Sequence, residues 1–161
     1  MSDPHRSLKD SFGRFATGVT VVTCRSKDGT VSALTVNSFV SVSLEPPLVL
    51  WCVERRASLF SRFFEADNYA VSVLRADGQA LSNRFAGRNP PPLEGREIEI
   101  WTTGAPLLKA RLAGFDCRVV DRHDAGDHVI LVGQVLRHDA RAGAPLTYFA
   151  SGYGVLPPID G

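Results

Sequence analysis

The sequence predicts a mainly β protein with short helices, its strands closed into an antiparallel barrel rather than spread as a doubly wound parallel sheet. Two observations carry that expectation. About seven short apolar or alternating stretches follow one another at close spacing, with turn residues between them. The helical stretches are few, short and scattered instead of alternating with the strands. Length agrees, since 161 residues make one ordinary domain, and a single domain over residues 1–161 is expected.

Residues 3–18 read as a helix. Asp3 or Ser7 can cap it, Pro4 suits its first turn, Leu8, Phe12 and Phe15 recur at helical spacing, and Gly18 ends it. Its apolar side is expected to pack on a sheet. Residues 19–25 and 30–36 are strands joined through Asp28-Gly29, a hairpin. Residues 39–44 alternate in part until Pro46-Pro47 interrupts them, and residues 48–53 are apolar on both faces, as a central strand would be. Leu59, Phe60, Phe63 and Phe64 give a short helix over 58–66 one apolar side. Residues 69–74 return to strand. Asp77 can cap a second short helix reaching Arg84 or Phe85, after which Gly87 and Pro90-Pro91-Pro92 force an irregular loop of the kind that covers sites. A strand over 98–101 and a turn at Gly104-Ala105-Pro106 lead to two long strands, 115–122 and 128–138, joined by Asp124-Ala125-Gly126.

Charge and composition narrow the function. Eighteen Lys and Arg against seventeen Asp and Glu leave a net charge of +1, too little to gather a nucleic-acid backbone. The longest apolar run, residues 48–53, falls far short of the roughly 18 residues that span a bilayer. With no apolar segment behind Met1-Ser2-Asp3-Pro4-His5-Arg6, a cytoplasmic protein is expected. Cys24, Cys52 and Cys117 have neither a paired count nor metal spacing and read as reduced, buried thiols, with Cys117 on the same side of its strand as Phe115 and Val119. The common glycine-rich phosphate loops, the nucleophile elbow, the zinc-protease helix and the calcium loop are all absent from the sequence. A nucleotide would have to be held another way.

Three segments offer that chemistry. Arg55-Arg56-Ala57-Ser58, leading into a helix, could converge guanidinium groups, a hydroxyl and free N–H groups on a phosphate, or could be a solvated basic turn with Ser58 as N-cap. Thr35-Val36-Asn37-Ser38 could read the edge of a planar heterocycle, or build an Asx turn or bulge. His123-Asp124-Ala125-Gly126-Asp127-His128 holds two His and two Asp, but alternation along a hairpin splays them, so no metal is expected. His128 is either a structural histidine or a ligand-facing donor at a barrel rim. Tyr153, between Gly152 and Gly154, is either a surface aromatic or a stacking lid over a flat ligand.

Five runs in order carry a resemblance: Phe15-Ala16-Thr17-Gly18-Val19-Thr20-Val21-Val22-Thr23; Leu34-Thr35-Val36-Asn37-Ser38-Phe39 with Ser41-Val42-Ser43-Leu44-Glu45-Pro46-Pro47-Leu48-Val49; Tyr69-Ala70-Val71-Ser72-Val73-Leu74; Phe85-Ala86-Gly87; and Gly126-Asp127-His128. Together, over residues 12–153, they resemble the flavin reductase family with an FMN-binding split barrel, the small reductase components of two-component flavin monooxygenases. The resemblance implies a homodimer of Greek-key antiparallel split β-barrels, with a flavin site near the dimer interface. It implies that NADH or NADPH gives hydride to FMN or FAD, and that the reduced flavin serves a partner monooxygenase. By the same resemblance Thr35, Val36, Asn37 and Ser38 contact the flavin ring and ribityl chain. Cys52, Arg56 and Ser58 belong to the strand and turn that receive the phosphate, and Phe85 and Ala86 to a loop closing on the flavin. His128, the expected catalytic residue, and Tyr153 lie near the nicotinamide. Hydride transfer needs stacked rings and a stabilised negative charge rather than an obligatory side-chain acid or base. Pro90-Pro91-Pro92 and Pro157-Pro158 depart from the family pattern. The alternatives are a protein that retains FMN tightly and passes electrons onward, or a flavin-binding barrel without turnover.

Overall fold

The computed structural model describes residues 3–157; Met1, Ser2 and the tail from Pro158 lie outside them. Helix α1 (Arg6–Phe12) precedes β1 (Thr17–Gly18), β2 (Thr20–Arg25), β3 (Val31–Val36), β4 (Val40–Leu44) and β5 (Pro47–Glu54). Then come α2 (Phe60–Phe64), β6 (Asn68–Val73), α3 (Gln79–Ala86), a 3-10 turn (Gly95–Glu97), β7 (Ile98–Ile100) and β8 (Pro106–Leu108). The chain ends in β9 (Ala113–Ala125), β10 (His128–Ala140), β11 (Leu146–Phe149) and β12 (Gly152–Val155). Seven strands form one sheet in the order β3-β2-β6-β9-β10-β5-β4, with each neighbouring pair antiparallel.

That sheet curls until its two ends share one core. Val22 and Cys24 of β2 and Tyr69 and Val71 of β6 bury together with Trp51 of β5 and Leu131 of β10, although β2 and β5 are separated by three strands in the sheet order. Trp51 meets the edges of Phe63 and Tyr69 at ring-centroid distances of 5.2 and 5.9 Å. Each such side chain, fully buried, contributes roughly 1.5–3 kcal/mol from the apolar area it removes from water. Gly133 lets β10 pass over Tyr69, since a Cβ there would stand 2.3 Å from the tyrosine hydroxyl oxygen. Cys24 and Cys117 are buried in the same core, and desolvation raises the thiol pKa of both, that of Cys24 to about 12. Both are thereby kept as inert thiols.

The outer face of β2, β3 and β6 is covered. A second cluster buries Val19, Val21, Ala33, Leu74, Phe85 and Leu146 under α3, β8 and β11. Arg111 locks the β7–β8 hairpin to the long strands. Fully buried, it donates to Asp139 Oδ1 and Oδ2 at 2.9 and 2.6 Å and to the Leu108 carbonyl at 2.6 Å, pairs with Glu99, and lies 4.8 Å from the Trp101 ring centroid. The outer face of β4, β5 and β10 is different. The register sets Val40, Leu50 and Val132 side by side on it, and no helix or strand among the described residues packs over them. Leu50 and Val132 are half-buried and Val40 is exposed.

Several expectations change here. The first helix ends at Phe12 rather than Gly18, because Thr17 and Gly18 pair with Tyr148 and Thr147 as strand β1. None of its residues is buried, so it does not pack on the sheet within this chain. Neither Asp3 nor Ser7 is its N-cap, which is His5; Asp3 instead accepts the His5 N–H at 2.9 Å. Asp77 pairs with Arg75 at 3.5 Å, and Gly78 is the N-cap of α3. The described residues hold twelve strands rather than about seven, the unexpected ones being the short strands β1, β8, β11 and β12, while β7 falls within the strand expected over 98–101.

Candidate active site

A cleft of about 730 Å³ opens beside the uncovered face, within the size range of sites that take small molecules. Leu34, Thr35, Val36, Asn37 and Ser38 line one side, where the chain leaves β3. Cys52, Glu54 and His128 line it from adjacent strands, since Glu54 pairs with His128 and Cys52 with Ile130. Arg56, Ala57 and Ser58 come from the turn after β5, and Ala86, Gly87 and Arg88 from the end of α3.

The hydroxyls in this cleft are committed to the backbone. Thr35 Oγ1 donates to the Ser82 carbonyl at 2.7 Å, tying β3 to α3. Ser38 stands opposite Cys52 in the continued β4–β5 register, and its Oγ accepts the Cys52 N–H at 3.0 Å and donates to the Cys52 carbonyl at 3.3 Å. One side chain thus replaces a rung of the ladder. Ser58 donates to the Arg88 carbonyl and is not a helix cap; α2 starts after Leu59. These hydroxyls shape the walls. Among the described residues, Asn37, Arg56 and Arg88 have no side-chain hydrogen bond within the protein, so the carboxamide and two guanidinium groups are the donors open to a ligand.

At the rim, His128 Nδ1 lies 2.7 Å from Asp127 Oδ1. The hydrogen bond to His128 holds the Asp127 carboxyl below its usual range. Arg55 N–H donates to the Asp127 carbonyl at 2.9 Å, Arg55 Nε to the Gly126 carbonyl at 3.4 Å, and its guanidinium pairs with Asp124. Arg55 therefore clamps the β9–β10 turn onto the end of β5. His123 pairs separately with Asp121 at 3.1 Å, and among the described residues no three His, Cys, Asp or Glu side chains gather as a metal cluster.

Two of the proposed contact residues lie elsewhere. Phe85 is buried in the second core cluster with Arg84 stacked 4.8 Å from its centroid, so the helix-end residue that reaches the cleft is Ala86. Tyr153 packs edge-on to Tyr148, and its hydroxyl is 2.7 Å from Ser82 Oγ. It braces α3, which in turn holds Thr35. Cys52 is half-buried at the cleft instead of buried in the core, and desolvation raises its thiol pKa.

A family model described as a flavin reductase like domain matches residues 12–157. The chain belongs to the flavin reductase family. Its seven-stranded sheet is the split barrel of that family, mostly β and antiparallel. Among curated proteins it is 46% identical over 149 residues to an FMN reductase (NADH), SmoA, from Agrobacterium fabrum, covering 92% of this chain and 84% of the relative. It is 32% identical over 157 residues to the reductase subunit HsaB of a flavin-dependent monooxygenase from Rhodococcus jostii, covering 97% and 80%. Among solved structures, the NADH:FAD oxidoreductase SgcE6 of Streptomyces globisporus with NAD and FAD fragments superposes with a TM-score of 0.88 at 32% identity, covering 98% of this chain and 97% of the other.

The donor set in this flavin reductase fits a flavin. Leu34, Val36, Ala57 and Ala86 offer apolar surface to a ring, Asn37 a carboxamide to its polar edge, and Arg56 with Arg88 positive charge to a phosphate. Arg88 and Glu54 were absent from the expected site. Arg88 follows the Phe85-Ala86-Gly87 run that marked the loop, and Glu54 is the cross-strand partner of His128. A hairpin register would have pointed to Glu54; no signal in the sequence pointed to Arg88.

Proposed function

We propose that this protein is an NADH-dependent flavin reductase, one domain acting as a homodimer in the cytoplasm and supplying reduced FMN or FAD to a separate flavin-dependent monooxygenase. The observation that carries this reading is the cleft itself. It gathers Thr35 to Ser38, Cys52, Arg56, Ala86 and His128 at the border of an uncovered apolar sheet face, with its free donors of the kinds a flavin needs. A bound flavin supplies a two-electron acceptor for the hydride that a reduced nicotinamide carries. Asn37 would hold the ring edge, and Arg56 and Arg88 would neutralise the phosphate. With Asp127 Oδ1 beside Nδ1, Nε2 is the His128 ring nitrogen left for a ligand in the cleft. That nitrogen would meet the nicotinamide carboxamide and so help orient the donor ring.

The face formed by Val40, Leu50 and Val132 is the ground for the homodimer, because a second copy would bury it and roof the adjoining cleft. Buried free thiols at Cys24 and Cys117 suit a reducing compartment. The test is NADH oxidation by the purified protein with FMN, FAD or no added flavin, together with its mass in solution. Flavin-dependent oxidation by a species of twice the chain mass is expected. No oxidation with either flavin would overturn the reductase reading, and a monomer would overturn the dimer.

A further inference from the structure

Among the described residues Glu54 is the one carboxylate that lines the cleft. Cys52 and Glu54 are two apart on β5, so both side chains leave the face on which the cleft opens. The Arg55 N–H donates to the Asp127 carbonyl at 2.9 Å, which puts the hydrogen bonds between β5 and β10 on that rung and skips the rung of Glu54 and His128. Skipped rungs of an antiparallel pair hold their facing side chains closest. The neighbouring carboxylates have partners. Asp124 pairs with Arg55, and Asp127 is bonded by His128, with the charge of Arg56 adding to that bond in holding its carboxyl below the usual range. The Glu54 carboxylate joins no ion pair and accepts no hydrogen bond among the described residues. Standing unpaired in a cleft whose arginines suit a phosphate, it repels the anionic part of a ligand and attracts a part that carries positive charge.

We propose that Glu54 stabilises the positive charge that develops on the nicotinamide ring as it gives up hydride. This assignment rests on the flavin reductase reading, which puts that ring beside His128. The bond between nicotinamide C4 and its hydrogen breaks, and both electrons leave with the hydrogen to form the N–H bond at flavin N5. A neutral dihydropyridine ring thereby becomes a pyridinium cation, and the flavin takes up the negative charge. The attraction to Glu54 is missing in NADH, grows along the reaction and is complete in NAD+. A charge whose effect grows in that way lowers the barrier instead of merely tightening substrate binding.

The experiment compares wild type with Glu54→Gln and Glu54→Asp on the full chain, with FMN held saturating. Glu54 is exposed, so both variants should keep the fold. Calorimetry reads the Kd of NAD+, whose ring is cationic, and of a tetrahydro analogue of NADH, whose ring is neutral and cannot give hydride. Glu54→Gln should raise the NAD+ Kd about fivefold, the upper range for an ion pair that water reaches, and leave the Kd of the neutral analogue unchanged. Its kcat/KM for NADH should fall about threefold, because the charge is only partly developed in the transition state. Glu54→Asp keeps the charge and should recover most of both losses. Equal changes in the two Kd values, or no change in either, would overturn the assignment, as would a glutamine variant with wild-type kcat/KM. The binding comparison needs no turnover, which separates the two readings. A protein that oxidises NADH but binds NAD+ alike with Glu54 or Gln at this position keeps the reductase reading and loses this one. A protein whose hold on NAD+ depends on Glu54 but which fails to oxidise NADH keeps the charge site and loses the reductase reading.

Discussion

Replacing Ser38 by alanine should loosen the corner of the barrel that forms one wall of the cleft. The Ser38 hydroxyl is the partner of both the N–H and the carbonyl of Cys52, at 3.0 and 3.3 Å. Alanine leaves both backbone groups without a partner at a half-buried position. Each stranded group costs of order 1 kcal/mol where water reaches it only in part, so the variant should lose about 2 kcal/mol of stability. Urea unfolding should show a lower midpoint with an unchanged slope, because the surface exposed on unfolding is the same. The segment from Thr35 to Ser38 would then have to be ordered by the ligand, a cost near 1 kcal/mol, which raises the flavin Kd about fivefold. Ser38→Thr keeps the hydroxyl and should stay within about 0.5 kcal/mol of wild type. The reasoning is refuted if Ser38→Ala loses less than about 0.5 kcal/mol with an unchanged flavin Kd, or if threonine is as damaging as alanine.

His128→Ala removes the ring whose Nε2 is assigned to the nicotinamide, so kcat/KM for NADH should fall about tenfold while the flavin Kd moves less; steady-state kinetics beside a flavin titration separate the two, and unchanged turnover excludes the role. Arg111→Met strands Asp139 and Glu99 and should cost about 3 kcal/mol in denaturant unfolding. Hydrogen bonding to Arg111 holds the Asp139 carboxyl below its ordinary 3.8. A depressed carboxyl stabilises the fold above that ordinary value and loses its contribution as pH falls through the folded one. Wild-type stability should therefore decline as pH drops through and below about 3.8, and Asp139→Asn should flatten that decline. Gly133→Ala forces a methyl against the Tyr69 hydroxyl, 2.3 Å away before any relaxation, and should cost about 1–3 kcal/mol. In Gly133→Ala/Tyr69→Phe most of that loss should return, and a thermal melt in which it does not would point to strain elsewhere.

Much of the barrel was legible because its signals are local. Asp28-Gly29 and Asp124-Ala125-Gly126 announce the turns of the two main hairpins, and residues 19–25, 69–74 and 128–138 carry the apolar content that strands β2, β6 and β10 use. The site was legible as residue types: Thr35 to Ser38, Arg56 and His128 were singled out by their chemistry, and the cleft collects them. Helix α1 was overextended because Phe15 continues its spacing, while the partner that draws Thr17 and Gly18 into strand β1 lies more than a hundred residues away in Thr147 and Tyr148. Two paired residues have no periodicity of their own to read.

By itself, then, the sequence determined the antiparallel β character, the near-neutral charge and the family, since composition, turn chemistry and ordered motifs are properties of the chain read along its length. Tertiary structure alone decided direction and adjacency. It turned Phe85 into the core and Ala86 to the cleft, used up the hydroxyls of Thr35, Ser38 and Ser58 on backbone groups, and left one outer face of β5 bare. Those outcomes depend on which partner each polar group finds once strands distant in sequence are side by side, and a hydrogen bond satisfied there is a donor no longer free for a ligand.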